Sequence, residues 1–158
     1  MLVELTDRQS ALKLLRIGDE NKDIPEFTDA FVNRTTYARV LSVHDGDTVT
    51  LVMATESSLY KFRCRLSNID TCEITSHDPP VRELAVRAKE RLVAMCACGI
   101  VWVRLHGMDK YGRVLADIRE DPGSPLGFGD VLVQEGLACV YNGHEKKTTA
   151  DRLVTRNN

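Results

Sequence analysis

From Tyr60 to Leu66 the chain alternates, with Tyr60, Phe62, Cys64 and Leu66 apolar and Lys61, Arg63 and Arg65 basic. A period of two is that of a half-buried β-strand, one face toward a core and the other toward water. The pattern predicts a strand over 59–69 that ends in Asp70-Thr71-Cys72-Glu73. Such a strand delivers two carboxylates at its mouth, with Arg65 five residues behind Asp70. Carboxylates are hard oxygen ligands for Ca²⁺ or Mg²⁺, and arginine holds phosphate in bidentate fashion. A cation and a guanidinium close together are what a phosphodiester under attack needs. Two further stretches supply matching parts: His44-Asp45-Gly46-Asp47-Thr48 before it and Asp109-Lys110-Tyr111-Gly112-Arg113 after it.

Around that strand the periodicity lays out a small barrel. Strands are expected over 37–43 and 48–53, joined at the glycine turn Asp45-Gly46-Asp47. After a loop ending in Pro79-Pro80 the period becomes helical. Val81, Leu84, Ala85, Ala88, Leu92, Met95 and Cys96 fall within an arc of about 120°. Strands over 100–105 and 113–118 and a short helix over 130–137 follow. Three strands, a helix, two strands and a helix predict a β-barrel with helices (α+β). This is the five-stranded OB-fold plan, with one helix between strands three and four and a short one after strand five.

The division expected is an N-terminal extension over 1–35, a barrel domain over 36–145 and a polar tail over 146–158. Thr6-Asp7-Arg8-Gln9 is a capping-box pattern, which predicts a helix over 7–17, and Pro25 marks an extended arm. The tail is expected to fray, with one helical turn over 150–154.

Net charge is −2, so the total implies no general affinity for polyanions. The distribution is more informative: residues 60–115 hold ten Lys/Arg against six Asp/Glu. The basic excess surrounds the strand mouth, where a nucleic-acid backbone can use it. The five cysteines are an odd number. No stretch has the form of a signal peptide or of a membrane span of about 20 apolar residues. They read as free thiols in a reducing, intracellular setting, cytoplasmic rather than secreted. Cys96 and Cys98 lie about 200° apart on a helix and make no zinc pair. Trp102 reads as core, and His44, His77, His106 and His144 as surface or turn residues.

Four motifs carry a resemblance. Residues 38–49 with Asp45-Gly46-Asp47-Thr48, residues 62–73, Asp109-Lys110-Tyr111-Gly112-Arg113 and Gln134-Glu135-Gly136-Leu137-Ala138 resemble, in order and spacing, the staphylococcal nuclease (thermonuclease) family. That family's fold is an OB-type barrel. The resemblance implies that Asp47, Asp70 and the Thr71 carbonyl hold Ca²⁺ and that Glu73 holds the attacking water. It further implies that Arg65 and Arg113 bind the reacting phosphate and that Lys110 and Tyr111 contact substrate phosphates. The activity implied is calcium-dependent hydrolysis of DNA and RNA with low sequence specificity, single strands preferred, leaving 3′-phosphate ends, by a monomer that needs no membrane. The chain departs from the family in three places. Cys72 replaces a proline, the net charge is slightly acidic, and the tyrosine-rich segment after the last helix is reduced to Tyr141. The arm from Asp23 to Thr28 is similar to extensions on nuclease-like proteins of large DNA viruses. The reading from another class is a non-catalytic nucleic-acid or protein-binding OB-fold module. Against it, all of Asp47, Arg65, Asp70, Glu73 and Arg113 are present. The oxygen-only ligand set leaves Mg²⁺ and Mn²⁺ open beside Ca²⁺.

Overall fold

The structure is a computed structural model that describes residues 33–54, 58–141 and 149–157, together with Gln9. The rest of the expected N-terminal helix, and the arm, lie outside the described residues. The elements are β1 (Thr35–Val43), β2 (Thr48–Ala54), β3 (Leu59–Leu66), β4 (Ile69–Thr71), α1 (Pro79–Met95), β5 (Ile100–Met108), β6 (Val114–Arg119), α2 (Phe128–Gln134), β7 (Ala138–Val140) and α3 (Thr149–Asn157).

Five strands close a barrel in the order β1-β2-β3-β6-β5, as the OB-fold plan predicts. Only β3 and β6 run parallel in it. Alternation makes the core. Val49, Leu51 and Met53 of β2 meet Phe62, Cys64 and Leu66 of β3 and Val114, Ala116 and Ile118 of β6, all buried. Register shifts at Val40/Ser42 and Leu105/Gly107 bend the strands so that the sheet can close. Helix α1 lies, in chain order, between the third and fourth barrel strands and buries Val81, Leu84, Ala85, Ala88 and Leu92 against the barrel core. Truncating Leu92, which is fully buried, to alanine costs about 2–5 kcal/mol by the general run of such cavities. A second apolar cluster, Tyr37, Val52 and Ala54, sits apart from this core, with Trp102 half-buried against it.

Local differences from the expected elements have physical reasons. The third strand stops at Leu66 rather than Ile69. Asn68 has φ 59°, a left-handed conformation that asparagine tolerates better than most residues. The turn Ser67-Asn68 takes the chain out of the barrel, and β4 then pairs antiparallel with β7, Asp70 opposite Cys139. Asp70 is therefore presented by a separate two-stranded sheet. Helix α1 starts on Pro79 and Pro80 themselves: in a first helical turn the missing N–H groups would have no partner anyway. Helix α2 begins two residues earlier than expected, with Asp130 accepting the Gly127 N–H at 2.8 Å. The helical turn expected over 150–154 in the polar tail is part of the longer α3, which buries Leu153 completely. All five cysteines stand outside disulfides. Among the described residues no helix is long and apolar enough to cross a membrane.

Candidate functional site

Three connections meet at one end of the barrel. The β1–β2 turn brings Asp45 to Asp47, the β4 end brings Asp70 to Glu73, and the β5–β6 turn brings Asp109 to Arg113. They border a cleft of about 950 Å³. All eight residues singled out from the sequence line it: Asp47, Arg65, Asp70, Thr71, Glu73, Lys110, Tyr111 and Arg113.

Gly46 lets the turns approach. A Cβ there would lie 2.7 Å from the Ala88 Cβ of α1 and 3.0 Å from both Cγ2 and Oγ1 of Thr71. Any side chain would push the first turn away from the other two elements. The turn is also shaped from within, because Asp45 Oδ1 accepts the Asp47 N–H at 3.2 Å. The Asp47 carbonyl then accepts the Leu66 N–H at 2.8 Å, which ties the turn to the end of β3.

A continuous polar network crosses the cleft. Arg113 Nη1 donates to Thr48 Oγ1 at 3.3 Å, and Thr48 Oγ1 donates to Asp47 Oδ1 at 2.8 Å. Arg65 Nη2 lies 3.1 Å from Asp47 Oδ2 and 2.6 Å from Asp70 Oδ1, bridging the two carboxylates. The other oxygen of Asp70 accepts a hydrogen bond from the Thr149 hydroxyl at the start of α3. Asp109 anchors the far side. Its Oδ1 accepts the N–H groups of Tyr111 and Arg113 at 2.8 and 2.9 Å, and its Oδ2 accepts Arg113 Nε at 2.7 Å.

The electrostatics follow from burial. Asp47 is 6% exposed, and its carboxyl is pushed up to about 7 by burial and the nearby Asp45 charge, against the opposing pull of Arg65 and the Thr48 hydroxyl. Burial also raises Asp109. The Arg113 N–H and guanidinium and the Tyr111 N–H outweigh it and hold that carboxyl below its ordinary value. Cys72, between Thr71 and Glu73, is a thiol pushed up to about 11 by burial, with Cys139 and the two neighbouring carboxylates adding to it. It is a poor nucleophile at neutral pH.

Among the described residues no group of three or more His, Cys, Asp or Glu side chains converges on a metal position. The implied calcium set needs only two carboxylates, with a carbonyl and water completing it. Asp47 Oδ2 and Asp70 Oδ1 already share one cationic group, the Arg65 guanidinium. A buried carboxylate with a raised pKa and a second one converging on the same positive charge are a donor set that suits a hard divalent ion. The residues present fit the ion.

Several residues of the site escaped sequence reasoning. Thr48 and Asp109 lie inside motifs that drew attention for other members. Tyr141 sits over Arg65 with 5.9 Å from guanidinium to ring centre, and Tyr111 stands 5.7 Å from Arg113 in the same way. His106, read as a surface residue, lines the cleft, 3.0 Å from Asp117, which also accepts a hydrogen bond from Ser67. Thr149 left no signal at all, since nothing in a polar segment marks one hydroxyl for a partner 79 residues away.

The family model described as "Staphylococcal nuclease homologue" matches residues 63–157, from within β3 to the end of α3. No curated protein matches the chain. Asp47 lies upstream of the matched span and joins it through the pairing of Thr48 with Arg65 across β2 and β3.

Proposed function

Because the chain belongs to the staphylococcal nuclease family, a family of nucleases and nucleic-acid-binding barrels, we propose that the cleft is a calcium-dependent nuclease site acting on DNA and RNA. The observation that carries this reading is the network Arg113–Thr48–Asp47–Arg65–Asp70, which ties two arginines to two carboxylates beside Glu73.

In this reading Asp47, Asp70 and the Thr71 carbonyl would hold Ca²⁺, and the ion would supply positive charge to offset the negative charge of the phosphate. Arg65, which bridges Asp47 and Asp70, turns its guanidinium to the reacting phosphate. Arg113 holds the same phosphate from the other side, with its own position set by Asp109. The two guanidiniums stabilise the negative charge that gathers as phosphorus becomes five-coordinate. Glu73 orients a water for attack on phosphorus and accepts its proton. The 5′-oxygen departs, which leaves a 3′-phosphate. Lys110 and Tyr111 hold neighbouring phosphate groups. In this reading the cleft engages phosphates rather than base edges, so base specificity is low and unpaired strands, whose phosphates reach the cleft freely, are cut fastest.

The test is incubation of the protein with single-stranded DNA and with RNA, in Ca²⁺ and in chelator, with the product ends read by mass spectrometry. Cleavage that needs Ca²⁺ and leaves 3′-phosphates supports the reading. Binding without cleavage under any divalent ion moves the assignment to a non-catalytic nucleic-acid-binding module.

A further inference from the structure

The outward face of β3 carries more positive charge than the cleft uses. Phe62, Cys64 and Leu66 point into the core, so Lys61, Arg63 and Arg65 share the opposite face. Residues two apart on a strand lie about 6.8 Å from each other, close to the length of one extended nucleotide. Arg65 belongs to the cleft; Arg63, the next rung, is exposed. A groove lined by Arg63, Glu73, Tyr111, Gly112 and Arg113 connects it to the cleft, sharing Glu73, Tyr111 and Arg113 with it. Among the described residues no carboxylate is paired with Arg63.

Hydroxyl groups and an imidazole lie on the neighbouring strand beside Arg63. Thr50 lies directly across from Arg63 on β2. Its hydroxyl is 2.7 Å from His44 Nε2, which also meets Ser42 Oγ at 3.3 Å. The His44 pKa is lowered by burial and then by the positive fields of Arg63 and of Lys89 on α1, with Asp45 opposing.

We propose that Arg63, with the Thr50 hydroxyl across from it on β2, forms a second phosphate subsite one nucleotide from the cleft, so that a single strand of DNA or RNA is drawn across the outer face of β2 and β3. The inference rests on the nuclease reading and deepens it. A positively charged track lined by evenly spaced cations binds an unpaired backbone without reading its bases. The subsite contributes binding energy equally to ground state and transition state, so it acts on KM rather than on kcat.

The experiment compares wild type with Arg63→Ala, Arg63→Lys and, as a charge control away from the cleft, Arg91→Ala, whose arginine pairs with Glu135 on the protein surface. Substrates are oligothymidylates of two, four and eight residues in Ca²⁺, with KM, kcat and the salt dependence of binding measured on each. Arg63→Ala is expected to raise KM for the octamer about tenfold, the loss of one charge-assisted contact. It should leave kcat and the dinucleotide KM unchanged and reduce the slope of log affinity against log salt by about 0.7. Arg63→Lys restores most of the octamer affinity, and thermal melts of the exposed variants match wild type. Arg63→Ala indistinguishable from Arg91→Ala at every length overturns the subsite, as does an equal loss on dinucleotide and octamer. Wild type that neither binds nor cleaves any oligonucleotide overturns the nuclease reading itself, and the subsite with it.

Discussion

Asp109 makes no contact with the reacting groups in the proposed mechanism, yet its removal is expected to disable the site through Arg113. Its carboxylate accepts two backbone N–H groups and the Arg113 Nε, and its side chain is 15% exposed beside an Arg113 that is 26% exposed. Charge-assisted bonds of this kind are each worth about 1.5–3 kcal/mol when well sheltered. At a half-open turn, with water competing and the bonds sharing one carboxylate, about 2 kcal/mol in all is the expected loss for Asp109→Ala. Asp109→Asn keeps an oxygen for the backbone N–H pair and loses only the ion pair, for about 1 kcal/mol. Stability thus separates the two roles of the carboxylate, and activity reports the tether to Arg113. Without the Nε tether, the guanidinium retains its 3.3 Å bond to Thr48. A displacement of the order of 1 Å costs about 10²-fold in rate, so kcat/KM should fall by about that factor in both variants, well beyond what the loss of stability explains. The pH dependence has a definite sign. The folded-state pKa lies below the ordinary 3.8, so the stabilisation is present above that value and fades as pH falls through the folded value. Urea denaturation at pH 7 and pH 3, with steady-state cleavage at pH 7, reads all of this. Wild-type kcat/KM in Asp109→Ala, or a stability gap that widens on acidification, refutes the reasoning.

Three further outcomes are expected. Gly46→Ala puts a methyl 2.7 Å from the Ala88 Cβ, and overpacking of this size costs about 1–3 kcal/mol; thermal melts should show the loss, with part of it recovered in Gly46→Ala/Ala88→Gly, and no recovery would mean that the contact is not the cause. Asp47 has a folded-state carboxyl near 7 against an ordinary 3.8, so the ion-free protein binds the extra proton and loses stability as pH rises from about 4 to about 7, by up to about 4 kcal/mol. Asp47→Asn in chelator should therefore gain on wild type as pH climbs to 8, and a constant difference across that range contradicts it. Thr149→Val keeps the shape of the side chain but removes the donor to Asp70; it should cost about 1 kcal/mol in stability and weaken Ca²⁺ binding measured by calorimetry several-fold, whereas unchanged values for both would leave Thr149 without a role at the site.

The barrel was legible because its strands obey period two and α1 obeys the helical period, and neither signal depends on a distant partner. The alternation from Tyr60 to Leu66 survives in the structure as buried Phe62, Cys64 and Leu66 against Lys61, Arg63 and Arg65 outside. The eight residues named through the family resemblance line one cleft because the motifs that carry them lie at or beside turns that meet at one end of the barrel. What was not legible is set by tertiary partners. The three-residue strands β4 and β7 have no periodicity of their own, and each exists because of the other. Helix α3 looks like a solvated tail until Leu153 is seen to enter the core. Pro79-Pro80 reads as a barrier from sequence and serves as a helix start, because the rule against proline applies to helix interiors and not to the first turn. His106 carried no motif, and its place at the cleft follows from β5 pairing with β6, which brings it near Asp117.

The most direct test of the account is a double-mutant comparison at the cleft: kcat/KM on single-stranded DNA in Ca²⁺ for wild type, Arg65→Ala, Glu73→Ser and the double variant. Groups that serve one reaction step as a unit are strongly non-additive. The account predicts that each single substitution loses about 10³-fold or more and that the double variant loses little beyond the worse of the two. Single variants that retain near wild-type activity, while the fold melts normally, would contradict it.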